Sequence, residues 1–83
     1  MLQSLISPAF SPSVIPQARE QALKEAPGRP VIMLRPAPVK VRSILGHAIA
    51  YTVTHVLVEW TADEQYKVRW EASWLVRRVE ESS

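Results

Sequence analysis

The sequence predicts a mainly β protein: a small antiparallel sheet of short strands, preceded by a flexible arm that carries one short helix. Three observations lead there. All seven prolines lie before Val39, and proline lacks the N–H that a central strand donates. From Val39 onward, apolar and polar residues alternate in short runs with period two, the mark of half-buried strands. Before that point, a single segment is rich in good helix formers. The chain therefore divides into a proline-rich arm, residues 1–38, expected to be partly disordered, and a β module, residues 39–83.

In the arm, Pro8, Pro12 and Pro16 interrupt a stretch with few anchoring side chains, so flexibility is expected up to about Ala18. The helix is expected at residues 17–26. Pro16 suits a first-turn position, Pro27-Gly28 is a stop signal, and Glu20 and Lys24 stand i,i+4 in the favourable order. Its apolar face is thin (Ala18, Ala22, Leu23 and Ala26), so it needs a surface to dock on. Val31 to Leu34 is a short apolar run, read as an extended segment lying along the edge of the module. Arg35-Pro36-Ala37-Pro38 then holds the chain extended.

The module opens with Val39 and Val41 alternating with Lys40 and Arg42. Gly46-His47 reads as the turn that follows. His47 to Trp60 is dense in β-branched and aromatic residues. Ile49, Tyr51 and Val53 share one phase, whereas Val56, Val58 and Trp60 share the other. A tight turn, bulge or bend is therefore expected near Thr54-His55. The polar segment 61–65 reads as a hairpin loop. Tyr66, Val68 and Trp70 then alternate with Lys67, Arg69 and Glu71, which puts Val68 in the core and Lys67 in solvent. Ala72-Ser73-Trp74 reads as one turn of 3₁₀ helix, Leu75 to Val79 as a last short strand, and Glu80 to Ser83 as a tail.

Composition excludes much. With 83 residues and no cysteine, the chain is one domain at most, without disulfides or thiolate–metal sites, and fits a cytoplasmic setting. No apolar run approaches the roughly 18–20 residues of a membrane span. A short cysteine-free chain of this kind also suits a phage, plasmid or mobile cassette. The formal net charge is +2, but the excess lies in the arm. From Val39 onward Lys40, Arg42, Lys67, Arg69, Arg77 and Arg78 are matched by Glu59, Asp63, Glu64, Glu71, Glu80 and Glu81. With Gly28 and Gly46 its only glycines, the chain holds no phosphate-binding loop. His47 and His55 read as ordinary strand or turn residues, and no cofactor or metal is expected. The carboxylate pairs Asp63-Glu64 and Glu80-Glu81 fall in a loop and a tail, and neither Ser43 nor Ser73 sits in a nucleophile elbow, so no enzyme is expected.

The positive signal is aromatic. Trp60, Tyr66, Trp70 and Trp74 cluster in the C-terminal half with Arg69, Arg77 and Arg78 among them. Most such rings fill the core of a small domain, and one is expected to remain exposed. The run Tyr66-Lys67-Val68-Arg69-Trp70 followed by Trp74-Leu75-Val76 resembles the SH3-like small barrels, including Tudor-like and chromo-like modules. That resemblance covers about half the chain and implies a five-stranded barrel, with an open antiparallel sheet as the alternative. It also implies a small protein-interaction or adaptor module that binds a protein segment or self-associates, through those aromatics and arginines. The alternative is a nucleic-acid-binding accessory that uses Arg35, Lys40, Arg42, Lys67, Arg69, Arg77 and Arg78 on phosphates and a tryptophan on bases.

Overall fold

The structure is a computed structural model that describes residues 14–79. The expected flexibility of residues 1–13 and the tail 80–83 lie outside the described residues. Helix α1 spans Val14–Lys24 and is followed by β1 (Val31–Val41), β2 (Ile44–Tyr51), β3 (His55–Ala62), β4 (Gln65–Ala72), a 3₁₀ turn (Ser73–Leu75) and β5 (Val76–Arg78). The strands form one curled antiparallel sheet in the order β4-β3-β2-β1-β5. The mainly β class, the single short helix and the 3₁₀ turn follow the expectation. The helix begins at Val14, so Val14–Ala18 belong to it and not to a flexible stretch.

The largest difference is at the arm's end. Strand β1 begins at Val31, ahead of the expected Val39, and contains Pro36 and Pro38. The strand tolerates them because of where they sit. Its pairing with β2 breaks between Ile32 and Ala37, and β5 covers it only from Val39 to Val41. The Pro38 carbonyl accepts a bond from the Val79 N–H, 2.9 Å away. In an extended strand a residue's N–H and C=O point to the same side. The nitrogen of Pro38 therefore faces β5, and the ladder to β2 loses no donor. Pro38 leaves Val79 with no return bond, and β5 ends at Arg78.

The turns are tighter than the sequence suggests. The first reversal is at Arg42-Ser43, with Arg42 at φ 57, not at Gly46-His47. Gly46 lies inside β2 because of close strand approach: a Cβ there would sit 2.4 Å from the Glu59 carbonyl oxygen and 3.1 Å from Trp60 Cβ. The expected reversal before His55 is present. The Thr52 N–H donates to the His55 carbonyl at 2.8 Å, and Thr52 Oγ1 accepts from the N–H groups of Thr54 and His55. A register shift between Ala48 and Ala50 adds a bulge and turns both Ile49 and Ala50 inward. Asp63 and Glu64 both have positive φ, 53 and 61, and join β3 to β4 in two residues.

Both faces of the sheet carry apolar clusters. On one, Ala22, Ile49, Ala50 and Leu57 are buried, with Leu23, Val68 and Trp70 against them. This is where α1 docks. On the other, Val39, Val41, Ala48 and Val58 are buried, with Met33, Val56, Trp60, Leu75 and Val76 around them. Lys67 is exposed and Val68 is half-buried beneath the helix. Glu71 departs from the expected pattern. It belongs to the Lys67 and Arg69 face but is buried, with its carboxylate 3.5 Å from the Arg69 guanidinium.

Candidate functional site

The four aromatics expected at a common site are held in different places. Trp60 lies half-buried against the cluster of Val58 and Val39. Tyr66 and Trp70 lie on the opposite face, under α1. Trp70 Nε1–H donates to the Ala22 carbonyl at 2.7 Å and so caps the last turn of the helix from the sheet. Trp74 alone is largely in solvent, 77% exposed. Arg69 is exposed beside Glu71, while Arg77 and Arg78 are exposed on β5.

A polar knot binds the helix to the sheet. Arg19 donates from Nη2 and Nε to Glu59 Oε1, at 2.7 and 3.0 Å, and from Nε to the Tyr66 hydroxyl at 3.2 Å. The Tyr66 O–H donates to the same Glu59 oxygen at 2.6 Å. Burial, reinforced by that hydrogen bond, pushes the Tyr66 phenol up to about 12. Hydrogen bonds to Tyr66 and Glu59 raise Arg19 above its ordinary value. The chemistry is that of a tether: the carboxylate is occupied, and the phenol is held protonated. In the sequence Arg19 is one of the cations that give the arm its surplus charge. Its partners are 40 and 47 residues away, and no local spacing signals them.

Two of the surface grooves hold residues that the sequence singles out. The first runs along β1. Ile32 is 63% exposed and Leu34 100% exposed. They border a groove of about 280 Å³ between α1 and β1 whose walls include Leu23, Pro36, Ile49 and Leu57. Among the described residues the outer edge of this half of β1 carries no strand, since β5 reaches only Val39–Val41. No family model, curated protein or solved structure matches this chain. The two surfaces must therefore be read from their own chemistry.

The second lies at the β1–β2 turn and the 3₁₀ turn. Lys40, Arg42, Trp74, Leu75 and Arg77 line a groove of about 350 Å³. Lys40 stands directly opposite Arg77 in the β1–β5 ladder. Thus Trp74 and Arg77 do come together, and the partners missing from the aromatic set are Lys40 and Arg42. Their alternation with the buried Val39 and Val41 marked them as outward-facing. His47 and His55 are not juxtaposed: His47 pairs with Glu59, and His55 pairs with Ala72. Among the described residues no helix is long and apolar enough to cross a membrane.

Proposed function

We propose that this chain is a small protein-interaction module. It takes a protein segment, or the same strand of a second copy, along the free edge of β1. The observation that carries the reading is the exposure of Ile32 and Leu34 beside an apolar groove, on a strand segment with no outer neighbour among the described residues. An unpaired edge offers backbone N–H and C=O groups to an incoming strand, and the groove offers a place for its side chains. The strand order, with a 3₁₀ turn before a short last strand, supports an SH3-like small-barrel ancestry for such a module. The lack of cysteine supports a cytoplasmic setting.

The test pairs sedimentation over a protein concentration series with a random-peptide display selection. Self-association or a selected peptide should shift the amides of Val31–Arg35, and Leu34→Asp should abolish it. Leu34 is fully exposed, so the variant retains the fold. A chain that stays monomeric and selects no peptide overturns the reading, as does binding that ignores Leu34→Asp.

A further inference from the structure

We propose a second site: the groove between the β1–β2 turn, the 3₁₀ turn and β5 binds single-stranded nucleic acid. An unpaired base stacks on Trp74, and Lys40, Arg42 and Arg77 hold the flanking phosphates. This goes beyond the β1-edge reading and does not depend on it.

Three observations carry the proposal. The first is the placement of Trp74. Leu75, its neighbour in the 3₁₀ turn, packs into the cluster of Val41 and Val58 and anchors the turn. The indole stays outside, 77% exposed, beside three cations. An exposed tryptophan of this kind forfeits apolar burial, which a stacked ring restores.

The second is charge. Lys40 and Arg77 oppose each other directly across the ladder, an arrangement that destabilises a sheet. Among the described residues the side chains of Lys40, Arg77 and Arg42 have no ion-pair or hydrogen-bond partner. A bound anion offsets that repulsion. The third concerns the acids that balance the module's charge in sequence. Glu59 is occupied by Arg19, Glu71 is buried beside Arg69, and Asp63 and Glu64 lie in the β3–β4 turn. None of these lines the groove. Four of the six balancing acids thus lie away from these cations, and among the described residues the charged lining of the groove is purely cationic.

Cations alone would suit any polyanion, including an acidic protein segment. The indole decides between them, because every base has a π-face and a glutamate side chain has none. It also favours a single strand over a duplex, whose bases already stack on one another. At about 350 Å³ the groove falls within the range of about 300–1,000 Å³ typical of ligand sites.

The test is fluorescence anisotropy with a labelled mixed-sequence single-stranded DNA of about a dozen nucleotides, within the usual site sizes. Three phosphate contacts should give a slope of log K against log salt of about −2, at about 0.7 per phosphate. Lys40→Ala, Arg42→Ala and Arg77→Ala should each flatten the slope by about 0.7. Trp74→Ala should weaken binding about tenfold and leave the slope unchanged. Lys67→Ala removes the same charge from β4 and should change neither. Leu34→Ser, a β1-edge variant, should also change neither, so the two readings fail separately. The absence of saturable binding overturns the proposal, and so does an equal loss in Lys67→Ala. Competition by oligoglutamate as strong as by unlabelled DNA assigns the groove to acidic protein segments instead. Equal affinity for the duplex removes the stacking role of Trp74.

Discussion

Replacing Trp70 by phenylalanine should loosen helix α1 selectively. An isolated helix of 11 residues is marginal in water, so α1 depends on its docking contacts. These are Ala22 and Leu23 in the apolar cluster, the Arg19–Glu59–Tyr66 knot, and the bond from Trp70 Nε1 to the Ala22 carbonyl. Trp70→Phe removes that bond, about 0.5–1.5 kcal/mol net. The Ala22 carbonyl still accepts from the Glu25 N–H at 3.1 Å, so no orphaned acceptor adds to the cost. The smaller ring forfeits part of its burial, at about 0.8 kcal/mol per CH₂ equivalent. The sum is about 1–2 kcal/mol. If α1 opens locally, protection of its amides against hydrogen exchange should fall about 5- to 30-fold. Amides of β2 and β3 should change much less. Native-state exchange by NMR reads both in one experiment. Protection in Gln21–Glu25 that stays within twofold of the parent, roughly 0.4 kcal/mol or less, would refute the capping role. An equal fall in helix and sheet would show that α1 unfolds only with the whole domain.

Three further outcomes follow from the backbone and the polar knot. Gly46→Ala puts a Cβ 2.4 Å from the Glu59 carbonyl, so β2 and β3 must part; urea melts should show a loss of about 2 kcal/mol or more, and an unchanged midpoint would contradict the close approach. Asp63 and Glu64 occupy left-handed backbone in the β3–β4 turn, which favours Asn-Gly; Asp63→Asn with Glu64→Gly should stabilise by about 1 kcal/mol, and a destabilised double variant would mean that the side chains matter more than the strain. Tyr66, raised to about 12 from an ordinary 10.0, favours the folded state in its protonated form; that contribution is complete below pH 10 and is lost as pH rises through 12, so melting temperature should fall across that window. Tyr66→Phe should flatten the fall, and an equally steep fall in the variant would exclude the phenol as its source.

Much of the fold is legible because it is local. Period-two alternation from Tyr66 to Trp70 marks β4, the phase flip before Val56 marks the Thr52–Thr54 reversal, and helix formers after Pro16 mark α1. The misread turn at Gly46 has a physical reason. Glycine serves both tight reversals and close backbone approach, and only the Glu59 carbonyl across the strand pair tells them apart. The reversal at Arg42-Ser43 has no glycine at all. Glu71 misleads in the same way, since alternation predicts a face but not what covers it.

By itself the sequence determined the class of the protein, the number and order of its strands after Val39, and the absence of thiol chemistry. These depend on neighbouring residues and on composition. Tertiary structure alone decided the rest. It made β1 reach back to Val31, because Pro36 falls where the β1–β2 register breaks and Pro38 turns its nitrogen away from β2, toward the end of β5. It divided the aromatics between two faces, because consecutive strand residues point to opposite sides. It tied Arg19 to Glu59 and Tyr66, and it gathered Lys40, Arg42, Trp74 and Arg77 at one groove, away from Glu59, Asp63, Glu64 and Glu71. A charge count along the chain sums over all directions, whereas a surface depends on which charges share a side.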